Sequence, residues 1–330
     1  EVLHEVEITV EIAPGTLTPE ILETLVRCGV NRVSLGVQSF ADEESRSVGR
    51  LHTRAVTLDD ISRLRSAGIA NISLDLIAGL PHQTLDSWNR SLDDAIASGV
   101  PHASVYMLEV DEDSRLGREL IAGGTRYHAH FVPDENLTAD LYEIAIERLN
   151  ATGINQYEIS NFARTAYQSR HNLKYWTRQP YLGFGVDAHS MLYASSDPYV
   201  LLRAEEQTIT CSADSGGTRP CAITEADVEA VRFSTCDSLD EYLAGAPLVR
   251  TSVPRQAALE EEFFLGLRLN RGVDLRSIEA RYGLSIAINT AVQDLINWGL
   301  IERDGMVVRL TSKGRLLSNE VFQRFLSLQV

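Results

Sequence analysis

Apolar and polar residues recur with regular periods along the first part of the chain. From Glu5 to Ile12 they alternate at every position, which is the period of a strand with one buried face. A turn at Pro14-Gly15 follows. Thr18-Pro19-Glu20 then marks a helix start, because threonine is a preferred N-cap and proline is favoured in the first helical turn. The pattern predicts a strand over 5–12 and a helix over 19–28.

This strand and helix unit repeats before residue 110. The pattern predicts strands over 31–37, 72–77 and 103–108, and helices over 42–48, 57–67 and 84–98. A long amphipathic helix over 137–152 and a strand over 156–159 follow. Strands that alternate with helices of this length are typical of an α/β protein with a parallel sheet, and in a parallel (β/α) barrel the strand ends point into one mouth.

The pattern changes after residue 196. Residues 196–255 show little periodicity, and we expect a connecting segment that contains the domain boundary. Beyond it the sequence predicts helices over 256–268, 274–281 and 285–298, a short hairpin around Asp304-Gly305, and a last helix after Lys313-Gly314. Three helices and a hairpin form a winged-helix-like α+β domain. The predicted domains are 1–195, 196–255 and 256–330.

Composition narrows the classes of partner. The formal net charge of -16 argues against nucleic acid and against an anionic membrane surface. The helix predicted over 285–298 carries Asp294 and no Lys or Arg, so the C-terminal domain is expected to serve packing or protein contact. No apolar run approaches the roughly 18 residues of a membrane span. The cysteines are too scattered for a disulfide framework, which favours a reducing cytoplasm. They are Cys28, Cys211, Cys221 and Cys236.

Polar side chains stand at the ends of the first three predicted strands. These ends carry Glu11, Gln38 and Asp75, Arg50 follows Gln38, and Gly79-Leu80-Pro81 follows Asp75. Two carboxylates, an amide and a guanidinium suit a zwitterionic ligand, because a carboxylate holds an ammonium group or ribose hydroxyls and an arginine holds a carboxylate by two parallel bonds. The alternatives are that Gln38 caps the next helix and that the carboxylates are solvated or form internal ion pairs.

A second candidate site combines histidine with aromatic residues and glycines. The stretch from His171 to Trp176 reads His-Asn-Leu-Lys-Tyr-Trp, and Gly183-Phe184-Gly185 and His189 come soon after it. A histidine in such a setting can ligate a metal or heme iron, and the neighbouring rings can stack on a planar macrocycle. A hydrogen-bonded packing role is the alternative, and composition alone leaves both open.

Taken in order, several motifs resemble one known family. They are Leu35–Phe40, Gly49–His52, Asp75–Pro81, Tyr157–Ala163 and His171–Trp176. Over about residues 5–193 the chain resembles the oxygen-independent coproporphyrinogen III oxidase-like radical S-adenosylmethionine (SAM) proteins. The His-Asn-x-x-Tyr-Trp run and the following Gly-x-Gly are similar to the heme chaperone branch more than to the oxidase branch.

The resemblance implies a partial barrel that holds a 4Fe-4S cluster and SAM, with a winged-helix-like domain beside its mouth. The implied SAM contacts are Glu11 for the amino group, Gln38 and Asp75 for the ribose, Arg50 for the carboxylate and Ile77 near the adenine. His171 is implied as a heme contact. The expected partners are heme or a porphyrin and a heme-acceptor protein.

The sequence also departs from the family. The family carries a Cys-x-x-x-Cys-x-x-Cys loop and a Gly-Gly-Gly-Thr run, and neither is present. The resemblance therefore predicts a member that lacks its first two βα units and performs no radical chemistry as given, since thiolates must hold the cluster. Heme binding and delivery is the predicted function. The alternatives are oxidative decarboxylation of coproporphyrinogen III to protoporphyrinogen IX and a non-catalytic heme- or partner-binding module.

Overall fold

A computed structural model describes residues 6–109, 115–122, 128–194, 228–283 and 286–326. The chain separates into two compact units, Glu1–Arg170 and His171–Val330. The predicted domain boundaries at 195 and 255 stay predictions, and residues 196–227 of the predicted connecting segment lie outside the described residues.

The first unit alternates strands and helices, as the hydrophobic pattern predicts. Its elements are β1 (Thr9–Ile12), α1 (Pro19–Arg27), β2 (Arg32–Gln38), α2 (Asp42–Ser47), α3 (Arg54–Ser66), β3 (Asn71–Ala78), α4 (Leu85–Ala97), β4 (His102–Met107), α5 (Arg115–Ala122), a 3-10 turn (Ala129–Phe131), α6 (Glu135–Ala151), β5 (Asn155–Gln156) and β6 (Asn161–Ala163). Threonine caps fix three of the helix starts, since the side chains of Thr18, Thr53 and Thr84 each accept a hydrogen bond from a backbone N–H in the first turn.

The strands of the first unit form one mixed sheet in the order β1-β2-β3-β4-β6-β5. β1 to β4 run parallel, whereas β6 pairs antiparallel with both β4 and β5. The strand predicted over 156–159 is wrong, because a turn separates β5 from β6. In that turn the Tyr157 N–H donates to the Asn161 carbonyl at 3.0 Å, and the Ser160 N–H donates to the Glu158 carboxylate at 3.1 Å. The predicted parallel α/β arrangement is confirmed.

The two faces of this sheet differ in polarity. One face is apolar, and its helix α6 contacts β3 and β4. Its side chains are at most 1% exposed, and they include Val33, Leu35, Ile72, Leu74, Leu76, Ala103, Val105 and Phe162. Register pairs bring polar side chains together on the opposite face, which we call the polar face. It carries Glu11, Arg32, Ser34, Ser73, Asp75, His102, Ser104 and Asn161. A ligand on this sheet therefore meets hydrogen-bonding groups on one side alone.

The second unit contains two three-stranded sheets, β7-β8-β9 and β10-β12-β11, within the described ranges. Its elements are α7 (Arg170–Trp176), β7 (His189–Tyr193), β8 (Val228–Ser234), α8 (Leu239–Leu243), β9 (Val249–Pro254), α9 (Arg255–Gly266), β10 (Val273–Asp274), α10 (Leu275–Tyr282), α11 (Ile286–Asn297), β11 (Ile301–Asp304), β12 (Val307–Leu310), α12 (Ser312–Leu316) and α13 (Ser318–Gln323). Helices α9 to α11 and the β11-β12 hairpin lie where the pattern predicts them. β8 and β9 are not predicted.

A buried ion cluster joins α9 to the sheet β7-β8-β9. The Glu261 carboxylate lies 2.6 Å from Nε of Arg178 and 2.7 Å from the guanidinium of Arg232 on β8. The Arg178 and Glu261 side chains are only 2% and 6% exposed. Phe263 on the same helix stacks on Phe325 with ring centroids 4.5 Å apart. Charge and aromatic packing thus hold this unit together around α9.

Among the helices that the structure describes, none has the length and apolarity needed to cross a membrane.

Candidate functional site

The carboxyl end of β2 departs from regular strand pairing. Leu35 pairs with Leu74 and Gln38 pairs with Leu76, so β2 contains one residue more than β3 over this interval, which is a β-bulge. Gln38 has a left-handed φ of 66°, which residues other than glycine rarely adopt. The amide nitrogen of its buried side chain lies 3.2 Å from the position that a Cβ on Gly36 would occupy. The bulge and the turned backbone therefore bring the Gln38 amide back toward the preceding residues of β2.

Gly36 leaves an open position between Gln38 and Arg50. A Cβ on Gly36 would lie 4.0 Å from both terminal nitrogens of Arg50. The Arg50 side chain is half-buried, and its guanidinium forms no hydrogen bond or ion pair with the residues that the structure describes. A guanidinium without a counter-ion is well suited to bind a carboxylate through two parallel hydrogen bonds. The structure thus brings Gln38 and Arg50 together, as the strand-end argument expects.

Asp75 lies on the polar face of β3, where both of its carboxylate oxygens are 3.0 Å from the Ser34 hydroxyl that donates to them. Burial is the largest effect on this group and raises the pKa of Asp75 above its ordinary value. Hydrogen bonds from Ser104 and Ser34 work in the opposite direction, and the negative charge of Glu11 raises the pKa further. A ligand that brings positive charge or hydroxyl donors would therefore favour the ionised form of Asp75.

Two other predicted SAM contacts, Glu11 and Ile77, differ in polarity and exposure. Glu11 is exposed on β1, directly opposite Ser34 in the strand register. It forms no hydrogen bond or ion pair with any described residue. Ile77 is half-buried, and its carbonyl accepts a hydrogen bond from the Gln83 amide at 3.1 Å. The strand ends therefore bring Glu11 and Asp75 within electrostatic range, while no polar contact links Glu11 to Gln38 or Arg50 in the described part of the chain.

A buried polar chain supports the loops that follow β2 and β3. The Gln83 side-chain carbonyl accepts from the Gly79 N–H at 2.6 Å, and its amide donates to the Glu44 carboxylate at 3.1 Å. Glu44 in turn accepts from the Ser39 hydroxyl at 2.6 Å. Sequence reasoning did not single out Glu44 or Gln83. Their role depends on contacts between distant loops, for which the sequence gives no signal.

The rest of the polar face forms a hydrogen-bonded row that sequence reasoning also missed. The Ser73 hydroxyl lies 2.7 Å from Nδ1 of His102, and Nε2 of His102 lies 3.0 Å from the Tyr157 hydroxyl. Burial, assisted by the positive charge of Arg32, lowers the pKa of His102 well below its ordinary value. This imidazole is therefore neutral near pH 7. The available signal was the polar residue at every second position of otherwise apolar strands, such as Ser73 and Asp75 on β3.

His171 lies in the second unit, on helix α7, and its side chain is exposed. Its ring meets the ring of Tyr175 edge to face, with the ring centroids 5.0 Å apart. The ring centroids of Tyr175 and Tyr181 are 4.6 Å apart. Trp176 is half-buried under the guanidinium of Arg268, which lies 4.2 Å from its ring centroid. The predicted histidine and aromatic residues therefore lie on α7 with the imidazole of His171 exposed and the rings of Tyr175 and Trp176 half-buried.

Gly183 and Gly185 have a packing role in the β7 sheet. A Cβ on Gly183 would lie 2.2 Å from the carbonyl oxygen of His189, so only glycine fits. The Gly183 N–H donates to the Ser190 hydroxyl at 3.0 Å, and the Gly185 N–H donates to the Tyr242 hydroxyl at 3.2 Å. The Gly-x-Gly run therefore fixes a loop against β7 and α8, which the sequence alone did not reveal.

The described residues do not supply the ligands of an iron–sulfur cluster. Cys28 is exposed in the first unit, Cys236 is half-buried in the second, and both are free thiols. Cys211 and Cys221 lie outside the described residues. No group of three or more His, Cys, Asp or Glu side chains in the described ranges is arranged to hold a metal ion. Cluster chemistry therefore has no basis in these residues, whereas the amide, carboxylates and guanidinium at the ends of β1 to β3 fit a zwitterionic ligand.

Comparison with known proteins finds two family models and several relatives that match this chain. Residues 2–95 match the Radical SAM superfamily, and residues 253–317 match the HemN C-terminal domain. The chain is 37% identical to the Bacillus subtilis protein named heme chaperone HemW over 97% of this chain and 76% of that protein. It is 30% identical to heme chaperone HemW of Lactococcus lactis over 99% of this chain and 76% of the relative.

The fold has a solved counterpart. The structure of coproporphyrinogen III oxidase (HemN) from Escherichia coli superposes with a TM-score of 0.73 over 98% of this chain and 70% of that one, at 21% sequence identity. An identity this low shows a shared fold and no more. The predicted fold class, a partial parallel barrel of the radical SAM type with a winged-helix-like C-terminal domain, is confirmed.

Proposed function

Because the chain belongs to the heme chaperone HemW family of radical SAM proteins, we propose that it binds heme and delivers it to an acceptor protein. The observation that carries this proposal is the surface of α7. There the exposed imidazole of His171 meets the ring of Tyr175, which in turn packs edge to face with Tyr181. The resemblance inferred from the sequence motifs is confirmed by the relatives.

The chemistry of this surface suits a transferable heme. Histidine is a common axial ligand of heme iron, and aromatic rings make favourable contacts with the apolar macrocycle. A chaperone must also release its cargo. An exposed helix surface allows another protein to approach the bound heme, which a deep pocket would prevent. His171 is therefore proposed as the iron ligand, with Tyr175 contacting the porphyrin.

We also propose that the ends of β1 to β3 bind SAM. The donor set fits this ligand, because the Arg50 guanidinium has no protein counter-ion and the Gln38 amide converges on the same open position at Gly36. Arg50 would hold the carboxylate of SAM. The remaining contacts would be Glu11 to the amino group, Gln38 and Asp75 to the ribose, and Ile77 to the adenine. In this family SAM and a 4Fe-4S cluster supply radical chemistry.

Heme titration of the wild-type protein against His171→Ala tests the main proposal. Loss of an axial ligand should weaken binding by about tenfold or more, which corresponds to ~1.4 kcal/mol, and should shift the Soret band. His130→Ala removes an exposed histidine from the first unit and serves as the matched control. An unchanged spectrum and affinity in His171→Ala would remove His171 from the heme site.

An anaerobic assay with coproporphyrinogen III under reducing conditions separates the rival functions. Formation of protoporphyrinogen IX would assign the oxidase activity. Heme binding without this product and without transfer to an acceptor would leave a non-catalytic binding module. Heme binding with transfer supports the chaperone. We place the protein in the reducing cytoplasm, where free thiols such as Cys28 and Cys236 persist.

A further inference from the structure

The second unit exposes a group of apolar side chains around helix α8. Phe184, in the loop before β7, is 83% exposed, and Leu243 on α8 is 73% exposed. Leu182, Leu239 and Leu248 are also exposed. Single exposed apolar residues are ordinary, whereas exposed apolar residues grouped around a cavity mark an interaction site. Leu182, Phe184 and Leu248 line one cavity together with Tyr242 of α8, and we call the five exposed residues with this cavity the α8 surface.

An apolar cavity of about 370 Å³ opens in the α8 surface. Its lining includes Leu182, Phe184, Leu192, Phe233 and Leu248. An apolar cavity of about 150 Å³ already admits benzene, so this one has room for a bulky side chain from another molecule. Side chains that fill such pockets supply most of the affinity of protein interfaces.

Hydrogen bonds hold the rim of the cavity in place. The Thr235 hydroxyl donates to the Gly185 carbonyl at 2.6 Å and accepts from the Ala188 N–H at 2.8 Å. The Tyr242 hydroxyl on α8 accepts from the Gly185 N–H at 3.2 Å. The loop that carries Phe184 is therefore fixed at both ends to neighbouring elements. A preformed cavity of this kind costs little ordering entropy when a partner binds.

Negative charge predominates around the α8 surface. Residues 182–192 and 233–248 contain four carboxylates and no lysine or arginine. These carboxylates are Asp187, Asp237, Asp240 and Glu241, and all are exposed. His189 lies 3.8 Å from Asp187, and Arg250, just beyond these ranges, pairs with Phe233 in the register of β8 and β9. An apolar cavity with a negative rim complements an apolar segment that carries positive charge.

We propose that the α8 surface docks a protein segment whose apolar side chains enter the cavity while its lysines or arginines face the four carboxylates. The negative rim disfavours an anionic membrane and heme propionates. It also disfavours a second copy across a two-fold axis, because the same carboxylates would meet. In naming this partner as the heme acceptor the inference rests on the proposed function.

A labelled amphipathic helical peptide of leucine and lysine tests the proposal by fluorescence anisotropy. We expect it to bind the wild-type protein, and a matched leucine and glutamate peptide not to bind. Phe184→Ser/Leu243→Ser should weaken binding by about tenfold or more, as expected for anchor residues. Asp240→Asn/Glu241→Gln should weaken binding less and reduce its dependence on salt.

Two control variants match these changes in the first unit. Leu51→Ser alters an almost fully exposed leucine, and Glu23→Gln/Glu43→Gln removes the same amount of negative charge from exposed positions. Both should bind the peptide like the wild-type protein. Circular dichroism confirms that every variant is folded, and the conservative Asp240→Asn/Glu241→Gln pair leaves the apolar residues intact.

Several results would overturn the proposal. One is equal binding of the leucine and lysine peptide to wild type and to both α8 variants, and another is failure of this peptide to bind at all. A dimer that Phe184→Ser/Leu243→Ser dissociates in sedimentation would assign the surface to a second copy, and binding to phosphatidylglycerol vesicles that this variant abolishes would assign it to a membrane. The peptide experiment contains no heme, so its failure is distinct from a failure of heme binding at His171.

Discussion

In the first unit polar side chains line a sheet face that is largely buried, whereas in the second unit apolar side chains are exposed to solvent around α8. The polar face pairs its groups internally, as Ser34 does with Asp75 and Ser73 does with His102. On the α8 surface Phe184 and Leu243 are 83% and 73% exposed. Both regions depart from the usual distribution of polarity, and they do so in opposite directions.

This contrast separates two kinds of sites. A buried polar group destabilises the folded state unless it keeps its hydrogen bonds, so the polar face must be rigid before any ligand arrives. An exposed apolar group has no such requirement, since its free energy is recovered only when a partner covers it. We therefore expect substitutions of buried polar groups to change the free energy of unfolding, and substitutions on the α8 surface to change binding alone.

The largest effect on the free energy of unfolding should come from the buried ion cluster of the second unit. It tests whether the cost of a substitution depends on the burial of the side chain or on the unit in which the side chain lies. Glu261→Ala leaves the Arg178 guanidinium buried without its carboxylate. We expect a loss of about 3–5 kcal/mol in the free energy of unfolding, measured by urea denaturation. Glu229→Ala, which breaks an ion pair with the more exposed Arg281, should cost at most about 1 kcal/mol. Equal losses would show that burial does not govern the effect.

A smaller loss is expected on the polar face itself. Tyr157→Phe removes a hydroxyl that contacts Nε2 of His102 and accepts from the Ser169 N–H at 3.1 Å. Because the buried imidazole would lack this partner, we expect about 1–3 kcal/mol of destabilisation in the same assay. The Tyr167 hydroxyl makes no hydrogen bond within the described ranges, so Tyr167→Phe is the matched control and should be close to neutral. A neutral Tyr157→Phe would mean that the row of hydrogen bonds contributes no stability.

The smallest effect should appear as a dependence on pH. Burial raises the pKa of Asp75 above its ordinary value of 3.8, so the folded state binds this proton more tightly than the unfolded state. The contribution of Asp75 to stability is then fully present below pH 3.8 and is lost as pH rises through the raised pKa. Asp75→Asn should remove this decline and gain on the order of 1 kcal/mol near pH 7.

Urea denaturation of wild type and Asp75→Asn at several pH values measures this difference. Asp86→Asn, an exposed carboxylate on α4, should follow the wild-type profile. If the stability of Asp75→Asn falls with rising pH as steeply as that of the wild type, the decline belongs to another group.

The helices and strands that the sequence predicted correctly are those whose bounds depend on neighbouring residues. Caps at Thr18 and Thr84 and the alternation of β2 to β4 depend on neighbouring residues, so β2 to β4 and the helices α1 to α4 appear close to their predicted bounds. The strand predicted over 5–12 is shorter in the structure, where β1 begins at Thr9, and α5 was not predicted. The strand predicted over 156–159 failed because Glu158 accepts the Ser160 N–H and holds a turn. β8 and β9 were missed because their exposure follows no simple alternation.

In the candidate site too, features set by neighbouring residues could be predicted, and features set by contacts between strands could not. Periodicity predicts Glu11, Gln38 and Asp75 at strand ends. The structure places Glu11 and Gln38 at the ends of β1 and β2, whereas Asp75 lies three residues before the end of β3. The bulge that returns the Gln38 amide to Gly36 depends on a register between two strands, which no local pattern encodes. The way in which that amide approaches Gly36 could therefore not be predicted. The roles of these residues and of His171 stay predictions.

The pairing of β4 limits how the sheet of the first unit can grow. One side of β4 is occupied by β3 and the other by the antiparallel β6, so the parallel series ends there. In the described part of the chain, β1 is the one member of that series with an unpaired edge. A further parallel strand, whatever its source, can join the series only beside Glu11. Growth of the sheet is thus directional, and each added strand would widen the polar face next to the residues proposed to hold SAM.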